Sequence, residues 1–288
     1  MSGFKTFAVV GNGNVGSFVI DELLKAKAAG NVEEVVILTR AESANKESTQ
    51  KFATAGAQVT IVDYANKASV IKALAGIDVV LSTLSVFPSI EAQEVVAEAA
   101  KEAGVKLFAP SEYGLVTEGH QGFLADKARF HDKLRALGLP YVLFYTGAFA
   151  DWAWTAFLNL DVASGKVTVG GNGNSQATFT SRGDIARYVV YVLTNLPAEQ
   201  LVNRAFRLEG DRKSFNEVFK LYEAKTGKKV EVTYTPIADL QAAIKTNPYD
   251  IVSQLHLAYA TPGQGVVGSP DNGLYPDWNP TPVIDYLT

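Results

Sequence analysis

Residues 8–18, AVVGNGNVGSF, decide the fold of this chain. They form the glycine pattern G-x-G-x-x-G between a β-branched run and the helical pattern VGSFVIDELLKAKAA. Glycines at this spacing allow a tight turn and a close approach of the backbone to a pyrophosphate, and the following helix N-terminus supplies N–H groups. The segment therefore predicts the strand, turn and helix that open a dinucleotide-binding domain. The predicted cofactor contacts in this turn are Gly11, Gly13, Asn14, Val15 and Gly16.

Residues 168–178, TVGGNGNSQAT, repeat the letters of the first loop in different surroundings. This copy follows KVTV and precedes ATFTS, so it lacks the helix whose N-terminus could face a phosphate. Glycine and asparagine readily take the positive φ that tight hairpin turns require. The second loop is therefore predicted to be the turn of a β-hairpin.

The composition limits the classes of protein to which the chain can belong. Its 288 residues are 47% apolar, which is enough to bury a large core. The net charge of −4 disfavours nucleic acid and anionic membranes as partners. With no cysteine and three scattered histidines, neither disulfides nor a metal site has support. Because no signal peptide or long apolar stretch is present, the chain is expected to be soluble and cytoplasmic.

The first half of the chain alternates strand and helix patterns, as expected for a Rossmann-type, doubly wound parallel α/β sheet. Strands are predicted at 5–10, 34–39, 57–62, 78–82, 105–110 and 141–146. Helices are predicted at 15–28, 47–55, 67–75, 89–103 and 123–137. Residues 1–150 are thus predicted to form the nucleotide-binding domain, with strand and helix contributions from about 178–210.

The regular alternation of strand and helix patterns ends in the second half of the chain. Residues 151–288 are predicted to form mainly a smaller, C-terminal substrate-binding lobe. Helices are predicted at 152–160, 184–196, 215–226 and 237–244, and further strands at 205–208 and 228–235. From Thr261 onward the chain carries five of its 11 prolines and four glycines, which predicts an irregular closing segment.

The residue after the second predicted strand indicates which dinucleotide is bound. About 20 residues past the glycines, NAD-selective folds place Asp or Glu on the ribose 2′-hydroxyl. This chain has Arg40 there, whose guanidinium can bind a 2′-phosphate, and Lys46 and Lys51 follow it. The pattern favours NADP(H); the alternative is that Arg40 is an ordinary solvated surface charge.

Small and polar residues follow three of the predicted strands, in STLS at 82–85, PSEYG at 110–114 and TGAF at 146–149. Ligands of such folds lie over the carboxyl ends of the strands, although loops there are often small and polar in any case. The cofactor contacts predicted at these ends are Ser82, Thr83, Leu84, Pro110, Ser111, Tyr113, Thr146, Gly147 and Phe149.

The helix predicted at 123–137 carries Lys127 on its apolar stripe, which consists of Phe123, Phe130, Leu134 and Leu137. Burying an unpaired ammonium is costly. The side chain therefore either extends to water at the helix edge or points to the cofactor cleft as an acid/base group. The spacing alone does not decide between these alternatives.

A standard short-chain dehydrogenase has a tyrosine four residues before this lysine, whereas this chain has Phe123. Tyr113 and His120 could replace that tyrosine by position. For each of them, a structural or solvent-facing role is the more economical interpretation.

Four segments together resemble the NmrA-like, isoflavone-reductase-like family of atypical short-chain reductases: GNGNVG, ILTR, APSEYG and DKARFHDKLRALGLPYVLFYTGAF. The similarity covers roughly residues 4–235, and its combination of motifs is far more specific than the glycine loop alone. Two features depart from the family pattern. Val10 stands where many members have an additional glycine, and no resemblance is recognised for the segment after Thr261.

The resemblance implies NADPH as cofactor, with Arg40 on its 2′-phosphate and Lys127 both at the cofactor and as the catalytic acid/base. It also implies a phenolic or other aromatic substrate. The predicted function is an NADPH-dependent reductase that transfers a hydride to a small aromatic or phenylpropanoid-like carbonyl or conjugated compound. The residues predicted to line the substrate pocket are Tyr113, Phe149, Trp152 and Phe179.

The alternative function is a non-catalytic NADP(H) sensor that binds a partner protein, as regulatory members of the family do. The lysine on the apolar stripe favours the enzyme, whereas the missing tyrosine keeps the sensor open. Association into a homodimer also stays open at this point.

Overall fold

The computed structural model describes residues 2–85 and 90–288, so the predicted helix start at Ser89 lies outside the described residues. The chain divides into two compact units. The first consists of Met1–Glu112, Arg129–Phe144 and Ala186–Phe206, and the second of Tyr113–Ala128, Tyr145–Ile185 and Arg207–Thr288. The assignment of a cofactor domain and a substrate lobe stays a prediction.

The first unit is built on a parallel sheet of five strands in the order β3-β2-β1-β4-β5. Its strands are β1 (Thr6–Val10), β2 (Glu34–Thr39), β3 (Gln58–Ile61), β4 (Val79–Ser82) and β5 (Leu107–Ala109). The order reverses between β1 and β4, the switch point at which doubly wound folds bind ligands. The Rossmann-type fold class predicted from the sequence is confirmed.

These strands are connected by α1 (Gly16–Ala28), α2 (Ala41–Ala44), α3 (Glu47–Thr54), α4 (Lys67–Ala73) and α5 (Ile90–Glu102). Helix α6 (Gly122–Leu137) follows β5, and α7 (Arg182–Asn195) lies farther along the chain. The last four residues of β1 are fully buried, because helices cover both faces of a parallel sheet. Beyond β5, strand β6 (Val142–Tyr145) approaches by a parallel bridge from Tyr141 to Phe108 and pairs with β10 (Arg204–Arg207).

The second unit contains a sheet of three strands, β7 (Ala148–Phe149), β9 (Gln176–Thr180) and β11 (Asp211–Ser214), in the order β11-β9-β7. Strand β8 (Lys166–Gly170) pairs in parallel with β12 (Glu231–Thr235). Three further helices complete it: α8 (Phe215–Thr226), α9 (Ile237–Thr246) and α10 (Ile251–Ala260). A capping box of Ser214 and Glu217 starts α8, and its hydrogen bonds lower the pKa of Glu217 to about 2.

The predicted hairpin at the second glycine loop is wrong. Strands β8 and β9 flank the loop, but β8 pairs with β12, and β9 pairs with β11 and β7. Gly171 and Gly173 do take the expected positive φ. The turn is held by Asn216 of α8, whose amide donates to the Asn172 carbonyl at 2.9 Å, so the two strands diverge to different partners.

Two other expectations for this unit need correction. Residues 152–160, predicted to be a helix, form turns and a short 3₁₀ segment, Ala156–Leu158. Asn159 ends this segment because it takes a left-handed φ of 56°. Helix α10 was not predicted, since Gln254 and His256 are buried and mask its apolar period. None of the helices in the described part of the chain has the length and apolarity that a membrane span requires.

The irregular closing segment is confirmed, since residues 262–288 contain only two 3₁₀ turns, Asn272–Leu274 and Val283–Tyr286. Side chains hold this segment in place. Asn272 accepts from the Glu209 N–H at 3.0 Å and donates to the Glu209 carbonyl at 2.8 Å. The Asp184 carboxylate accepts from the Thr281 N–H at 3.1 Å. Side-chain bonds here replace the ladder bonds that a regular element would supply.

Candidate active site

The three glycines of the turn between β1 and α1 have different surroundings. Gly11 has a φ of 88°, which an L side chain rarely adopts. A Cβ on Gly16 would lie 2.4 Å from both the Gly11 carbonyl oxygen and the Thr83 hydroxyl. A Cβ on Gly13 would meet no atom within 4 Å, so the space above this residue is open. The turn thus combines tight packing below with an open face above, which fits a pyrophosphate.

The N-terminus of α1 suits an anion. Its N-cap residue is Val15, which has no polar side-chain atom, and its first turn contains no acidic residue. Gly13 and Asn14 are exposed in front of it. The positive end of the helix dipole is therefore not offset by a carboxylate of its own first turn.

The carboxyl ends of β1, β4 and β5 are tied together by hydroxyl groups. The Thr83 hydroxyl donates to the Gly11 carbonyl at 2.9 Å, and the Ser111 hydroxyl donates to the Leu84 carbonyl at 2.8 Å. Ser82 is fully buried at the end of β4, and the buried Pro110 follows β5 directly. The predicted residues of STLS and the first two of PSEYG thus lie on one edge of the sheet.

Arg40 follows β2 directly and its side chain is 64% exposed. Its Nε lies 3.0 Å from the Glu42 carboxylate, a partner that the sequence analysis did not consider. Lys46, also exposed, precedes α3. Both cations are accessible at the end of β2, where a 2′-phosphate is expected, and Glu42 would compete with that phosphate for Arg40.

In the second unit, the Gly114 carbonyl joins two of the predicted segments. It accepts from the N–H groups of Thr146 at 2.8 Å and of Gly147 at 3.0 Å. Gly147 has a φ of 71°, and a Cβ there would lie 2.2 Å from the Thr178 carbonyl oxygen. Tyr113 is buried, which raises the pKa of its hydroxyl and keeps that group protonated. The last residue of PSEYG and the first two residues of TGAF are therefore hydrogen-bonded to each other.

Helix α6 presents the apolar stripe much as predicted. Phe123, Phe130 and Leu134 are buried, whereas Leu137 is only half-buried. Lys127 is half-buried and lies one helical turn from both phenylalanines. The buried Phe123 carries no hydroxyl, so the tyrosine of a standard short-chain dehydrogenase has no counterpart at this position.

His120 lies near a cluster that the sequence analysis missed. The Tyr145 hydroxyl donates to the Glu118 carboxylate at 3.0 Å and lies 3.3 Å from the Thr117 hydroxyl. Burial lowers the pKa of the half-buried His120, while the negative charge of Glu118 opposes that shift. A low pKa keeps the imidazole neutral at neutral pH, a form able to accept a proton.

The aromatic residues predicted to line the substrate pocket have different surroundings. Phe149 and Trp152 are half-buried, and the Trp152 ring lies 6.2 Å from that of Phe157. Phe179 is fully buried, with ring centroids 5.6 Å from Trp154 and 5.7 Å from Phe215. This burial favours a packing role for Phe179, while Phe149 and Trp152 retain accessible surface.

A buried hydrogen-bonded pair, formed by Glu112 of the PSEYG motif and His131 of α6, is not predicted from the sequence. The His131 Nε2 lies 3.1 Å from the Glu112 carboxylate, and both side chains are almost fully buried. Glu112 belongs to the PSEYG motif and His131 to α6, but no local sequence pattern indicates that residues 19 positions apart are paired. Among the described residues, no group of three or more His, Asp or Glu side chains could hold a metal ion.

Comparisons with known proteins agree with the resemblance inferred from the motifs. The model of the NmrA-like family matches residues 4–277, which extends beyond the region in which similarity was expected. The isoflavone reductase homolog IRL of Zea mays is 30% identical over 98% of this chain and 97% of its own length. The isoflavone reductase homolog P3 of Arabidopsis thaliana is 27% identical over 99% and 97%, respectively.

Solved structures share the fold over nearly the whole chain. The complex of AtPrR2 with NADP+ and (+)-pinoresinol has a TM-score of 0.79 at 24% identity, covering 100% of this chain and 99% of that one. The complex of the Escherichia coli NADPH-dependent quinone oxidoreductase QOR2 with NADPH has a TM-score of 0.79 at 22% identity, covering 98% of both. The similarity to the solved structures supports the fold. Because the model of the NmrA-like family matches most of the sequence, the chain belongs to that family.

Proposed function

We propose that this chain is an NADPH-dependent reductase of a small aromatic carbonyl or conjugated substrate. Its relatives in Zea mays and Arabidopsis thaliana are named as reductase homologues, and the two solved neighbours are complexes with NADP+ and NADPH. These names support the oxidoreductase class and the cofactor. The names of the neighbours mention different compounds, (+)-pinoresinol and a quinone, so the panel of substrates that tests the function is a broad one.

The observation that carries the proposal is the glycine turn, with its open space at Gly13 and its close contact at Gly16. A side chain at Gly13 would fill the space that a pyrophosphate needs, whereas Gly16 brings α1 close enough to direct its N–H groups at the ligand. Arg40 and Lys46 would hold the 2′-phosphate. The strand ends from Ser82 to Leu84 and from Pro110 to Ser111 would contact the nicotinamide half of the cofactor.

When bound, NADPH supplies a hydride. Reduction of a C=O or polarised C=C bond also requires a proton, which neutralises the negative charge that develops on the substrate. Lys127 is proposed to donate that proton from its ammonium group, directly or through water, and to recover one from solvent. Tyr113, Thr146, Gly147 and Phe149 would complete the cofactor site, and Phe149 and Trp152 would offer aromatic surface to the substrate.

Replacing Arg40 by alanine is expected to raise the Kd for NADPH by about 10- to 100-fold, because a charged hydrogen bond to the phosphate is lost. The Kd for NADH should change little, since NADH has no 2′-phosphate. Titration of the intrinsic protein fluorescence with each cofactor measures both constants. Glu42→Gln is the matched opposite variant, since removal of the competing carboxylate should tighten NADPH binding alone. If Arg40→Ala raises the Kd values for NADPH and NADH by the same factor, the role assigned to Arg40 is contradicted.

The function itself is tested by NADPH consumption with a panel of aromatic aldehydes, enones, quinones and phenylpropanoid ethers. The expected result is turnover of at least one class of compound, with a kcat that is at least about 100-fold lower in Lys127→Met. Tight NADPH binding without turnover of any compound would favour the sensor. The absence of a tyrosine hydroxyl at Phe123 also favours the sensor. Failure to bind NADPH would overturn both functions.

A further inference from the structure

We propose that Thr49 is a positioning residue that sets the preference of this chain for NADPH over NADH. It would do so as the centre of a hydrogen-bond relay from Asn12, in the glycine turn, to Ser43, in the segment that follows Arg40. This inference rests on the proposed function, because it concerns the cofactor that the glycine turn and Arg40 would hold.

The relay is complete and directional. The Asn12 amide donates to the Thr49 hydroxyl oxygen at 2.6 Å, and that hydroxyl donates its own proton to the Ser43 carbonyl at 2.7 Å. Thr49 is fully buried on α3. A threonine hydroxyl can donate once and accept, so it satisfies both neighbours at the same time. Valine has nearly the same shape but could satisfy neither.

The relay joins two parts of the chain that local structure does not connect, since Asn12 and Thr49 are 37 residues apart. The segment between Arg40 and Lys46 contains the short helix α2, at whose start the Ser43 N–H donates to the Arg40 carbonyl at 2.9 Å. The Lys46 N–H donates to the Ser43 carbonyl at 3.3 Å. The Thr49 hydroxyl therefore bonds to the middle of the segment that carries both of the cations proposed to bind the 2′-phosphate.

The consequence for cofactor choice follows from the shape of the ligand. NADPH carries its pyrophosphate and its 2′-phosphate on the same ribose, so it would contact the glycine turn and the Arg40–Lys46 segment together. NADH contacts only the glycine turn in this way. If the relay fixes the distance between the two contacts, its loss raises the ordering cost of binding NADPH more than that of NADH.

A purely structural role for Thr49 makes a different prediction. In that case the loss of the hydroxyl lowers the melting temperature and raises the Kd values for NADPH and NADH by the same factor. The ratio of the two Kd values then stays constant. The ratio therefore separates positioning from general stability.

The experiment compares Thr49→Val with Thr49→Ser, which keeps the hydroxyl. Fluorescence titration of each full-length protein with NADPH and with NADH gives the two Kd values. Thr49→Val is expected to raise the Kd for NADPH about tenfold and that for NADH less than about threefold. Thr49→Ser should restore the NADPH preference of the natural chain. An unchanged ratio in a folded Thr49→Val protein would overturn the proposal.

Asn12→Ala provides a second variant if Thr49→Val does not fold, because Asn12 is only half-buried. This substitution removes the hydrogen-bond donor of the relay. If Asn12 also contacts the pyrophosphate, its loss weakens the binding of NADPH and NADH equally and leaves the ratio of their Kd values unchanged. A reduced preference for NADPH supports the relay, and an unchanged preference overturns it. The failure of the natural chain to bind NADPH is a separate result, which would instead overturn the proposed function.

Discussion

Replacement of Lys127 by methionine is expected to lower kcat by about 10²- to 10⁴-fold, the range that a positioned acid or base contributes. Methionine preserves the length and the apolar contacts of the stem but cannot carry a proton. Lys127 lies half-buried on the stripe of α6, so the substitution should leave the fold intact. Steady-state kinetics with the substrate found in the panel, together with fluorescence titration of NADPH, measure the effect.

The pattern of constants distinguishes proton transfer from binding. If Lys127 acts in the transition state, kcat and kcat/KM fall together while the Kd for NADPH changes much less. Lys127→Arg keeps the positive charge but holds its proton too tightly to act as an acid, so it should be nearly as inactive as Lys127→Met. Substantial activity in Lys127→Arg would show that the charge alone is sufficient.

Lys133 provides a control on the same helix. Its ammonium lies 2.7 Å from the Glu98 carboxylate and it belongs to the polar side of α6. Lys133→Met should therefore leave kcat close to that of the natural chain, because this half-buried ion pair lies away from the apolar stripe that carries Lys127. Equal losses of kcat in Lys127→Met and Lys133→Met would contradict a specific role for Lys127.

The sequence was sufficient for the elements whose signals are local. The β1–α1 turn was predicted because its glycines, the apolar strand before it and the helix after it are contiguous, and α8 was predicted with the same bounds, Phe215–Thr226, as the structure has. The pairing of β8 with β12 could not be predicted, because partners are chosen by packing between distant segments. The two strands flanking the second GNGN loop showed a hairpin pattern but separated to different sheets.

The same distinction holds for the candidate site. Gly11, Gly13, Gly16, Arg40 and Lys127 were identified from patterns within one or two elements. The relay from Asn12 to Thr49 and the pair of Glu112 with His131 join residues 37 and 19 positions apart. Their members look like an ordinary loop amide, helix hydroxyl and helix histidine in the sequence. Only the fold shows that they are hydrogen-bonded partners.

Glu112→Ala is expected to lower the free energy of unfolding by about 3 kcal/mol, since it removes one partner of a buried, hydrogen-bonded pair. The Glu112 and His131 side chains are only 1% and 3% exposed, so water cannot replace the lost carboxylate. The His131 ring also stacks on Tyr141, with centroids 6.4 Å apart, which prevents it from turning to another acceptor without losing that contact. Urea unfolding monitored by circular dichroism measures the difference.

Four further variants, including the single variant His131→Ala, test whether the pair itself is responsible. Glu112→Gln retains an acceptor of similar shape and should lose less than half as much stability. The double variant Glu112→Ala/His131→Ala should lose less than the sum of the single variants, because the two residues share one interaction. Asp132→Ala removes an exposed partner of Arg135 on the same helix and should leave stability nearly unchanged. Strict additivity of Glu112→Ala and His131→Ala would show that the buried carboxylate is stabilised by other neighbours and not by the histidine.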